Sequence, residues 1–336
     1  MHGRYQMPPQ PPGEGLFGSG YLTGVELFVN QVSTVPFDYP GVAYGVLSWW
    51  DYGHWLQVIG QRMVVAQPFQ AGIGGRRGAV TDEMMPGAAP FFVAETEAGA
   101  TQVLYDIDPR EGKWGARFIV TDIRMASGLG IFGAMAAWTL DTENYWISVP
   151  IGGGESITII GTERYFDSMV FRLHMLDANG LEQYRLVYES LIERGDPNLN
   201  LGLIRWHLPT QELFYKTLFN QIFDQNVPVA NSGHVKVFEF VEGAVITGSA
   251  APNETVELSL TLRTNRNRTI VYSQTTVADA SGAFSFRVPH STTGPIQGET
   301  NFAVRAVGQY TITTSAGEIS FDVSERDVLD GNTIRV

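Results

Sequence analysis

The stretch "ARFIVTDI" at residues 116–123 decides the fold class of this chain. Its apolar, β-branched residues and its polar end are typical of a buried strand. The run "YGVLS" at 44–48 predicts an earlier strand, and the helix formers of "AAPFFVAETEAGATQVLYDID" predict a helix between the two that ends near Tyr105. Strand, helix and strand in this order predict a mixed α/β unit with a parallel pair of strands.

Further helices are predicted downstream of this unit. In "MASGLGIFGAMAAWTL", at 125–140, each internal glycine costs about 1 kcal/mol relative to alanine, which favours a bent or short helix. The clearest helix is "TERYFDSMVFRLHML", at 162–176, with Thr162 as N-cap, Glu163 in the first turn and apolar residues at helical spacing. "TQELFYKTLFNQIF", at 210–223, predicts another.

From about Val235 the apolar period changes from that of a helix to that of a strand. "ETVELSLTLRT" alternates polar residues with apolar ones that we expect to point inward, namely Val256, Leu258, Leu260 and Leu262. "FSFRV", "FAVRAV" and "ISFDV" repeat the pattern between turns. We therefore expect a disordered Pro- and Gly-rich leader at 1–19, a mixed α/β (α+β) core domain at 20–234 and an antiparallel β-sandwich domain at 235–336.

Composition narrows the class of protein. A length of 336 residues, 44% hydrophobic and 17% charged, describes a globular chain of two or three domains. The net charge of −13, from 35 acids and 22 bases, argues against a nucleic-acid partner. No apolar run reaches the roughly 18 residues that a spanning helix needs, so the chain is expected to be soluble.

The sequence shows no catalytic constellation and no metal site. It has no cysteine, which excludes disulfides, thiolate metal ligands and a cysteine nucleophile. No two of its six histidines lie at a ligand spacing such as i, i+4. It also lacks a P-loop, a G-x-S-x-G elbow and a dinucleotide fingerprint after a strand.

The candidate site is the stretch "LSWWDYGHW" at 47–55, which follows the first predicted strand. In one interpretation Trp49 and Trp50 are core anchors, Asp51 caps the following turn and Gly53 supplies backbone freedom. In the other, the tryptophans and the acid form a pocket that recognises a small group.

The five residues "WWDYG" resemble the signature of the oligosaccharyltransferase catalytic subunit, in particular the archaeal AglB family. The flanking "GQRMVVAQPFQ", "FIVTD", "RYFDSMVFRLHML" and "YRLVYES" are similar to the extracytoplasmic domain of that family in order and spacing. The resemblance covers roughly residues 41–190, and a β-sandwich is compatible with the archaeal members.

The resemblance implies glycosylation of asparagine in Asn-X-Ser/Thr, with Trp49, Trp50 and Asp51 binding the Ser/Thr hydroxyl. A carboxylate accepts a hydrogen bond from a hydroxyl, and an indole N–H donates one to it. A substrate without the hydroxyl would leave these groups unpaired, at a cost of about 1–3 kcal/mol. Tyr52 and Gly53 are expected to shape the turn.

The family carries a second motif, Asp-x-x-Lys-x-x-x-Met/Ile, on a bent helix near the same pocket. Each possible placement supplies an apolar wall suited to a threonine methyl group. Three placements stay open, and they are Gly128 with Ile131 and Met135, Asp122 with Met125 and Leu129, and Met169 with Arg172.

The resemblance also implies what lies elsewhere in the enzyme. A divalent metal (Mn or Mg) and the acids that activate the acceptor amide belong to a multi-spanning membrane region that precedes this domain. The chain therefore looks like the extracytoplasmic C-terminal domain of a cell-membrane enzyme, inactive alone. The implied partners are an acceptor polypeptide, a dolichol-type lipid-linked oligosaccharide and, through the preceding region, the membrane.

Two other functions stay open from the sequence. A carbohydrate- or peptide-binding protein without catalysis would use Trp49, Trp50 and Trp55 as a platform, and an acid/base hydrolase would use a carboxylate pair. We also expect the most mobile ordered part near the motif to be 72–86, with its flexible "GIGG" tip beside Arg76 and Arg77, or 127–133. Asn253 and Asn267 each begin an Asn-X-Thr sequon whose modification is open.

Overall fold

A computed structural model describes residues 45–336 except 61, 68, 77–82, 108–114, 128, 141–144, 191–215, 223, 226 and 228–231. The leader expected at 1–19 lies outside the described residues. Five strands form the first sheet, in the order β2-β1-β3-β7-β6. They are β1 (Gly45–Leu47), β2 (Met63–Val64), β3 (Phe118–Asp122), β6 (Tyr184–Glu189) and β7 (Val235–Phe240).

The register of this sheet confirms the predicted parallel pair. Strand β1 runs parallel to both β2 and β3, with Val46 opposite Phe118 and Leu47 opposite Ile119. Strand β7 pairs antiparallel with β3 and with β6. Because β1 and β3 are parallel, the segments that follow Leu47 and Asp122 leave the sheet at the same edge.

Among the described residues, six α-helices belong to this α/β body, and most are shorter than the sequence predicts. They are α1 (Ala88–Val93), α2 (Glu97–Ile107), α3 (Ile123–Ser127), α4 (Leu129–Thr139), α5 (Glu163–Asp167) and α6 (Met169–His174). The bent helix expected at 125–140 is thus confirmed as two successive helices. Of the helix predicted at 210–223, the described part is a π-helix of 7 residues, Lys216–Ile222.

The single helix predicted up to Tyr105 is instead two helices separated at Ala94. Ala94 leaves the helical region, with ψ of 130°, and its carbonyl accepts from the Met169 amide at 2.9 Å. The Thr96 hydroxyl then accepts from the Gly99 amide in the first turn of α2. A tertiary hydrogen bond and a new cap therefore replace the continuous helix.

The helix predicted at 162–176 is also divided. Thr162 is confirmed as its N-cap, since the hydroxyl accepts from the Tyr165 amide. Ser168 then adopts an extended ψ of 142° and donates its hydroxyl to the Tyr165 carbonyl at 2.6 Å. Side-chain competition for backbone groups is the physical reason for the break.

One hairpin was not among the predicted elements. It consists of β4 (Trp146–Gly152) and β5 (Glu155–Ile160), joined by Gly153 and Gly154. Both glycines have positive φ, 65° and 85°, as a two-residue hairpin turn of the I′ type requires.

The C-terminal strands form two further sheets. The larger runs β10-β9-β13-β14, with β12 also on β9, and the smaller runs β11-β8-β15. Their bounds are β8 (Ala244–Ser249), β9 (Thr255–Arg263), β10 (Thr269–Val277), β11 (Ala283–Val288), β12 (Arg305–Ala306), β13 (Tyr310–Thr314), β14 (Gly317–Phe321) and β15 (Thr333–Arg335), and helix α7 (Glu325–Asp330) precedes β15.

The inward alternation predicted for β9 is confirmed. Val256, Leu258, Leu260 and Leu262 are all buried. One detail differs from an all-antiparallel arrangement, since β15 pairs in parallel with β8. Strand β7, which the sequence analysis placed in the sandwich, is hydrogen-bonded into the sheet of the body. We therefore propose that the boundary between body and sandwich lies near Val241 rather than at 234/235.

Two networks of buried charges join the body to the sandwich. In the first, Arg185 of β6 bridges Glu239 at 2.7 Å and Glu325 of α7 at 2.6 Å. In the second, Arg268 of the β9–β10 loop bridges Asp177 at 2.5 Å and Glu189 at 2.7 Å. Within the described part of the chain, no helix is both long and apolar enough to cross a membrane.

Candidate functional site

The motif forms a tight turn at the carboxyl end of β1. Residues Trp50–Tyr52 make one turn of 3-10 helix, closed by the Tyr52 amide donating to the Trp49 carbonyl at 3.1 Å. Gly53 follows with φ of −55° and ψ of −40°, which any residue can adopt. The backbone therefore does not require glycine at position 53, contrary to the interpretation in which Gly53 supplies backbone freedom.

The three residues implied in hydroxyl binding differ in exposure. Trp49 is 1% exposed and belongs to the core, while Trp50 and Asp51 are half-buried. The two indole rings lie 6.4 Å apart at 57°. Only Trp50 and Asp51 of the three thus offer appreciable surface to a ligand, and Trp49 supports them from below.

Tyr52 ties the turn to the next strand of the sheet. Its hydroxyl donates to Asp122 Oδ2 at 2.5 Å, and both residues are buried. The other oxygen, Asp122 Oδ1, accepts from the Met125 amide at 2.8 Å in the first turn of α3. Asp122 therefore joins the motif turn to α3, and both of its oxygens are engaged.

Burial raises the pKa of both acids at this edge, Asp51 and Asp122, and the charge of Arg124 opposes both rises. Partial burial raises the pKa of Asp51, and the nearby charge of Arg124 opposes that rise. Burial likewise raises the pKa of Asp122, opposed by hydrogen bonds from Tyr52 and Met125 and by Arg124. A half-buried acid with a raised pKa marks a functional-site candidate, because it lacks the full compensation of a structural ion pair.

Sequence analysis missed Arg124 as a member of the site. It is the second residue of α3 and half-buried, and it influences both acids. Its only sequence signal is its place directly after "TDI", at the end of a strand that the parallel pairing brings beside the motif.

The second-motif candidates separate by burial. Met125, Met135 and Met169 are fully buried, and Ile131 of α4 is half-buried. A side chain that contacts a peptide needs accessible surface, which among these four favours Ile131. Gly128 lies outside the described residues.

The loop expected to have a flexible tip is closely packed where it is described. Gly72, Gly74 and Gly75 all have positive φ, and an added Cβ at any of them would overlap backbone atoms. At Gly75 that backbone is Trp138 at the end of α4, whose carbonyl also accepts from the Arg76 amide at 2.8 Å. These glycines serve close approach of backbones. Arg77 lies outside the described residues.

The geometry weakens both alternative functions. A sugar platform needs exposed ring faces, but of its three tryptophans Trp49 is buried and Trp50 and Trp55 are half-buried. A carboxylate-pair hydrolase needs a second available acid, but the oxygens of Asp122 hold Tyr52 and α3. Among the described residues, no group of three or more His, Asp or Glu side chains could hold a metal ion.

The motif turn, with its half-buried acid, thus lies at the carboxyl end of a parallel strand pair on a mixed α/β body. The model of the AglB core domain matches residues 24–126, which include this turn, and the model of the archaeal glycosylation protein B long peripheral domain matches residues 243–334. The chain belongs to the AglB family.

Similar curated proteins have matching names. Dolichyl-phosphooligosaccharide-protein glycotransferase 3 of Archaeoglobus fulgidus is 33% identical over 82% of this chain and 36% of its own length. Dolichyl-monophosphooligosaccharide–protein glycotransferase AglB of Haloferax volcanii is 29% identical over 90% of this chain and 34% of its own length. The chain thus spans about a third of the length of these relatives.

Solved structures similar to this chain are also archaeal oligosaccharyltransferases. The Archaeoglobus fulgidus oligosaccharyltransferase in complex with Zn and sulfate has a TM-score of 0.74 at 28% identity, covering 95% of this chain and 46% of that one. AglB of the same organism, in complex with an inhibitory peptide and a dolichol-phosphate, has a TM-score of 0.72 at 26% identity, covering 95% and 42%. A third structure, tethered to an acceptor peptide containing an NVT sequon, has a TM-score of 0.67 at 29% identity, covering 90% and 39%.

Proposed function

We propose that this chain is the acceptor-recognition part of an oligosaccharyltransferase that transfers a lipid-linked oligosaccharide to asparagine in Asn-X-Ser/Thr. The observation that carries the proposal is the turn at Trp50–Tyr52, with a half-buried acid held at the sheet edge by the Tyr52–Asp122 hydrogen bond. Support comes from the relatives named as glycotransferases and from a similar structure tethered to an NVT peptide.

Recognition rests on Asp51 and Trp50. The Asp51 carboxylate accepts a hydrogen bond from the Ser/Thr hydroxyl, and the Trp50 indole N–H donates to the hydroxyl oxygen. Partial burial of Asp51 strengthens this bond, because less water competes for the carboxylate. A peptide with valine in place of threonine leaves the carboxylate without its partner, at about 1–3 kcal/mol.

Other side chains position this pair. Trp49 packs beneath the turn, and the hydroxyl of Tyr52 fixes the turn against Asp122 and, through it, α3. Arg124 favours the ionised form of Asp51, which is the form that accepts the hydroxyl proton. Ile131 offers an apolar contact for a threonine methyl group.

The remaining parts of the reaction belong to the rest of the enzyme. The divalent metal, Mn or Mg, and the donor-binding groups are assigned to a membrane region outside this chain, with this domain on the extracytoplasmic face. The chain alone is then inactive with any divalent metal. Submicromolar, stoichiometric metal binding to the chain in a calorimetric titration would contradict this assignment.

The experiment that tests the proposal compares acceptor peptides in the full-length enzyme. We expect kcat/KM for an Asn-X-Thr peptide to exceed that for the Asn-X-Val peptide by roughly 5- to 150-fold, which corresponds to about 1–3 kcal/mol. In Asp51→Ala this ratio should fall towards one. In Asp106→Ala, a control at an exposed acid of α2, the ratio should stay unchanged. An undiminished ratio in Asp51→Ala would refute the role of Asp51.

A further inference from the structure

The sandwich carries two sequons of its own at opposite ends of one strand pair. Asn253 begins Asn-Glu-Thr and Asn267 begins Asn-Arg-Thr, and both asparagines are exposed. Both also have positive φ, 61° and 58°, and therefore lie in tight turns. By sequence and by exposure the two sites are equivalent.

Their positions relative to the body differ. Asn253 lies two residues before β9, whereas Asn267 lies in the loop between β9 and β10. Strand β9 has 9 residues, and at about 3.3 Å per residue its ends lie about 26 Å apart. The loop with Asn267 docks on the body, because the Asn265 side chain bonds both the amide and the carbonyl of Glu189.

Arg268, the middle residue of the Asn267 sequon, belongs to the second network of buried charges between body and sandwich. The two networks, around Arg185 and around Arg268, together form the seam. Arg268 donates to both oxygens of Asp177 and to both oxygens of Glu189, at 2.5–3.2 Å. A sequon must leave its turn to extend across a recognition site. For Asn267 that movement withdraws Arg268 from two buried carboxylates: Glu189 loses its ion pair and Asp177 keeps only the bridge to Lys236, which is strongly unfavourable.

The side chain of the middle residue of the Asn253 sequon is held at the surface, while its backbone pairs with Ala278: the Ala278 amide donates to the Glu254 carbonyl at 2.9 Å, and the Asn253 amide donates to the Ala278 carbonyl at 3.1 Å. The Glu254 carboxylate accepts from the Ala251 amide at 2.8 Å and from the Ser315 amide, and both bonds are exposed. Exposed hydrogen bonds open at low cost, because water replaces them. Extension of the turn at Asn253 therefore breaks these exposed hydrogen bonds and the two backbone bonds to Ala278, but it withdraws no buried charge.

We propose that Asn253 is itself an acceptor of the oligosaccharyl transfer described above, and that the fold excludes Asn267. Nδ2 of Asn253 forms a bond to the anomeric carbon of the glycan, and the bond from that carbon to the lipid phosphate oxygen breaks. The lipid phosphate leaves with the electron pair, and the one proton that the amide nitrogen loses passes to solvent. The inference rests on the proposed function, which supplies the lipid-linked oligosaccharide as co-reactant.

The test is site occupancy in the full-length enzyme purified from the cells that encode it. Peptides containing each asparagine are quantified by mass spectrometry, with sugar fragment ions identifying the modified forms. We expect at least tenfold higher occupancy at Asn253 than at Asn267. Asn253→Gln should remove the modification, and Asn267→Gln, the matched control, should leave it unchanged.

Two controls separate the fold from the sequence and from the proposed function. Synthetic peptides spanning each sequon should be glycosylated to a similar extent by the same preparation, because neither is then held by the fold. Glycosylated peptides with an unmodified Asn253 in the enzyme would overturn the inference while leaving the proposed function intact. Equal occupancy at both sites would overturn selection by the fold, and no transfer to any peptide would refute the proposed function itself.

Hydrogen exchange provides a measurement that does not depend on activity. The backbone amides of 251–255 should exchange faster than those of 264–268, because the first turn opens at the surface and the second opens against the charge network. Slower exchange at 251–255 would contradict the physical basis of the inference.

Discussion

Acids have opposite electrostatic environments in two regions of the molecule. One region is the recognition edge, which consists of the motif turn at Trp50–Tyr52 with Asp122 and Arg124, and the other is the seam between body and sandwich. At the recognition edge, partial burial raises the pKa of Asp51, and Arg124 opposes it without reversing it. At the seam, burial also acts to raise the pKa of Asp177 and of Glu239, but arginine and lysine partners lower both below their ordinary values. The acids of the seam are thus fully compensated by neighbouring cations, whereas Asp51 at the recognition edge is not.

This difference separates a stabilising region from a functional one. A compensated carboxylate contributes to stability above its unfolded pKa, and that contribution is lost as the pH falls through its folded pKa. For Asp51 the sign is reversed, because its folded pKa is raised and its ionised form costs free energy in the folded state. An ionised acid kept at such a cost is available for a ligand that supplies the missing hydrogen bond.

The largest effect on stability is expected at Arg185. Replacement of Arg185 by methionine removes the bridges to Glu239 and Glu325 and leaves both acids buried. We expect denaturant unfolding of the chain at neutral pH to show a loss of about 3–5 kcal/mol. Arg326→Met, in the exposed pair with Glu299, is the control and should change stability by less than about 0.5 kcal/mol. Equal losses in the two variants would remove the distinction on which the comparison rests.

The next effect is on catalysis rather than on stability. In the full-length enzyme Asp51→Ala should lower sequon glycosylation by about two orders of magnitude, equivalent to about 2.7 kcal/mol. Its free energy of unfolding at neutral pH should not fall, because the ionised carboxylate is a cost in the folded state. If the variant instead loses several kcal/mol of stability, Asp51 is a structural residue like those of the seam.

A smaller effect on stability and on peptide binding is expected when the hydrogen bond that joins the motif turn to Asp122, and through it to α3, is removed. Tyr52→Phe removes the hydrogen bond to Asp122 and should lower stability by about 1–3 kcal/mol while raising KM for the acceptor peptide. Tyr310→Phe is the matched control, since it removes a buried hydroxyl that donates to the His290 carbonyl within the sandwich at 2.9 Å. That variant should lose similar stability with unchanged KM. A KM change in both variants would mean that stability alone sets peptide affinity.

Much of the fold follows from local pattern. The parallel pair, the N-cap at Thr162 and the inward face of β9 were all accessible from apolar period and capping chemistry. The helix breaks at Ala94 and Ser168 were not, because their causes are a tertiary hydrogen bond to Met169 and a side chain that bonds its own preceding turn. The first contact joins residues too far apart for any sequence window, and the second is a local competition that the apolar period does not reveal.

At the candidate site, too, local sequence identifies some features and tertiary contacts decide the others. The motif residues were identified by composition and resemblance, but their exposure was not, and the structure places Trp49 in the core with Trp50 and Asp51 at its surface. Asp122 and Arg124 join the motif because β1 and β3 are parallel neighbours, although 70 residues separate Tyr52 from Asp122. Charge compensation at the seam likewise depends on pairs such as Arg185 and Glu325, 140 residues apart.

The effect that is smallest at neutral pH concerns a buried, neutral histidine beside the compensated charges, His290. Burial lowers the pKa of His290 to about 3, and the charge of Arg185 contributes in the same direction. In the unfolded chain His290 therefore binds a proton near pH 6.5, whereas in the folded chain it binds one only near pH 3. Stability due to His290 is fully present above pH 6.5 and falls as the pH drops through this window, by at most about 1.4 kcal/mol per pH unit.

His290→Gln should reduce the slope of unfolding free energy against pH between 6 and 4, measured by denaturant titration at each pH. Glutamine leaves no titrating group, so the comparison of slopes, rather than of absolute stabilities, isolates the histidine. His54→Gln, at an exposed histidine, is the control for the effect of the substitution itself. An unchanged slope in His290→Gln would mean that the seam accepts a second positive charge beside Arg185, and that its compensation is less complete than the contrast with Asp51 requires.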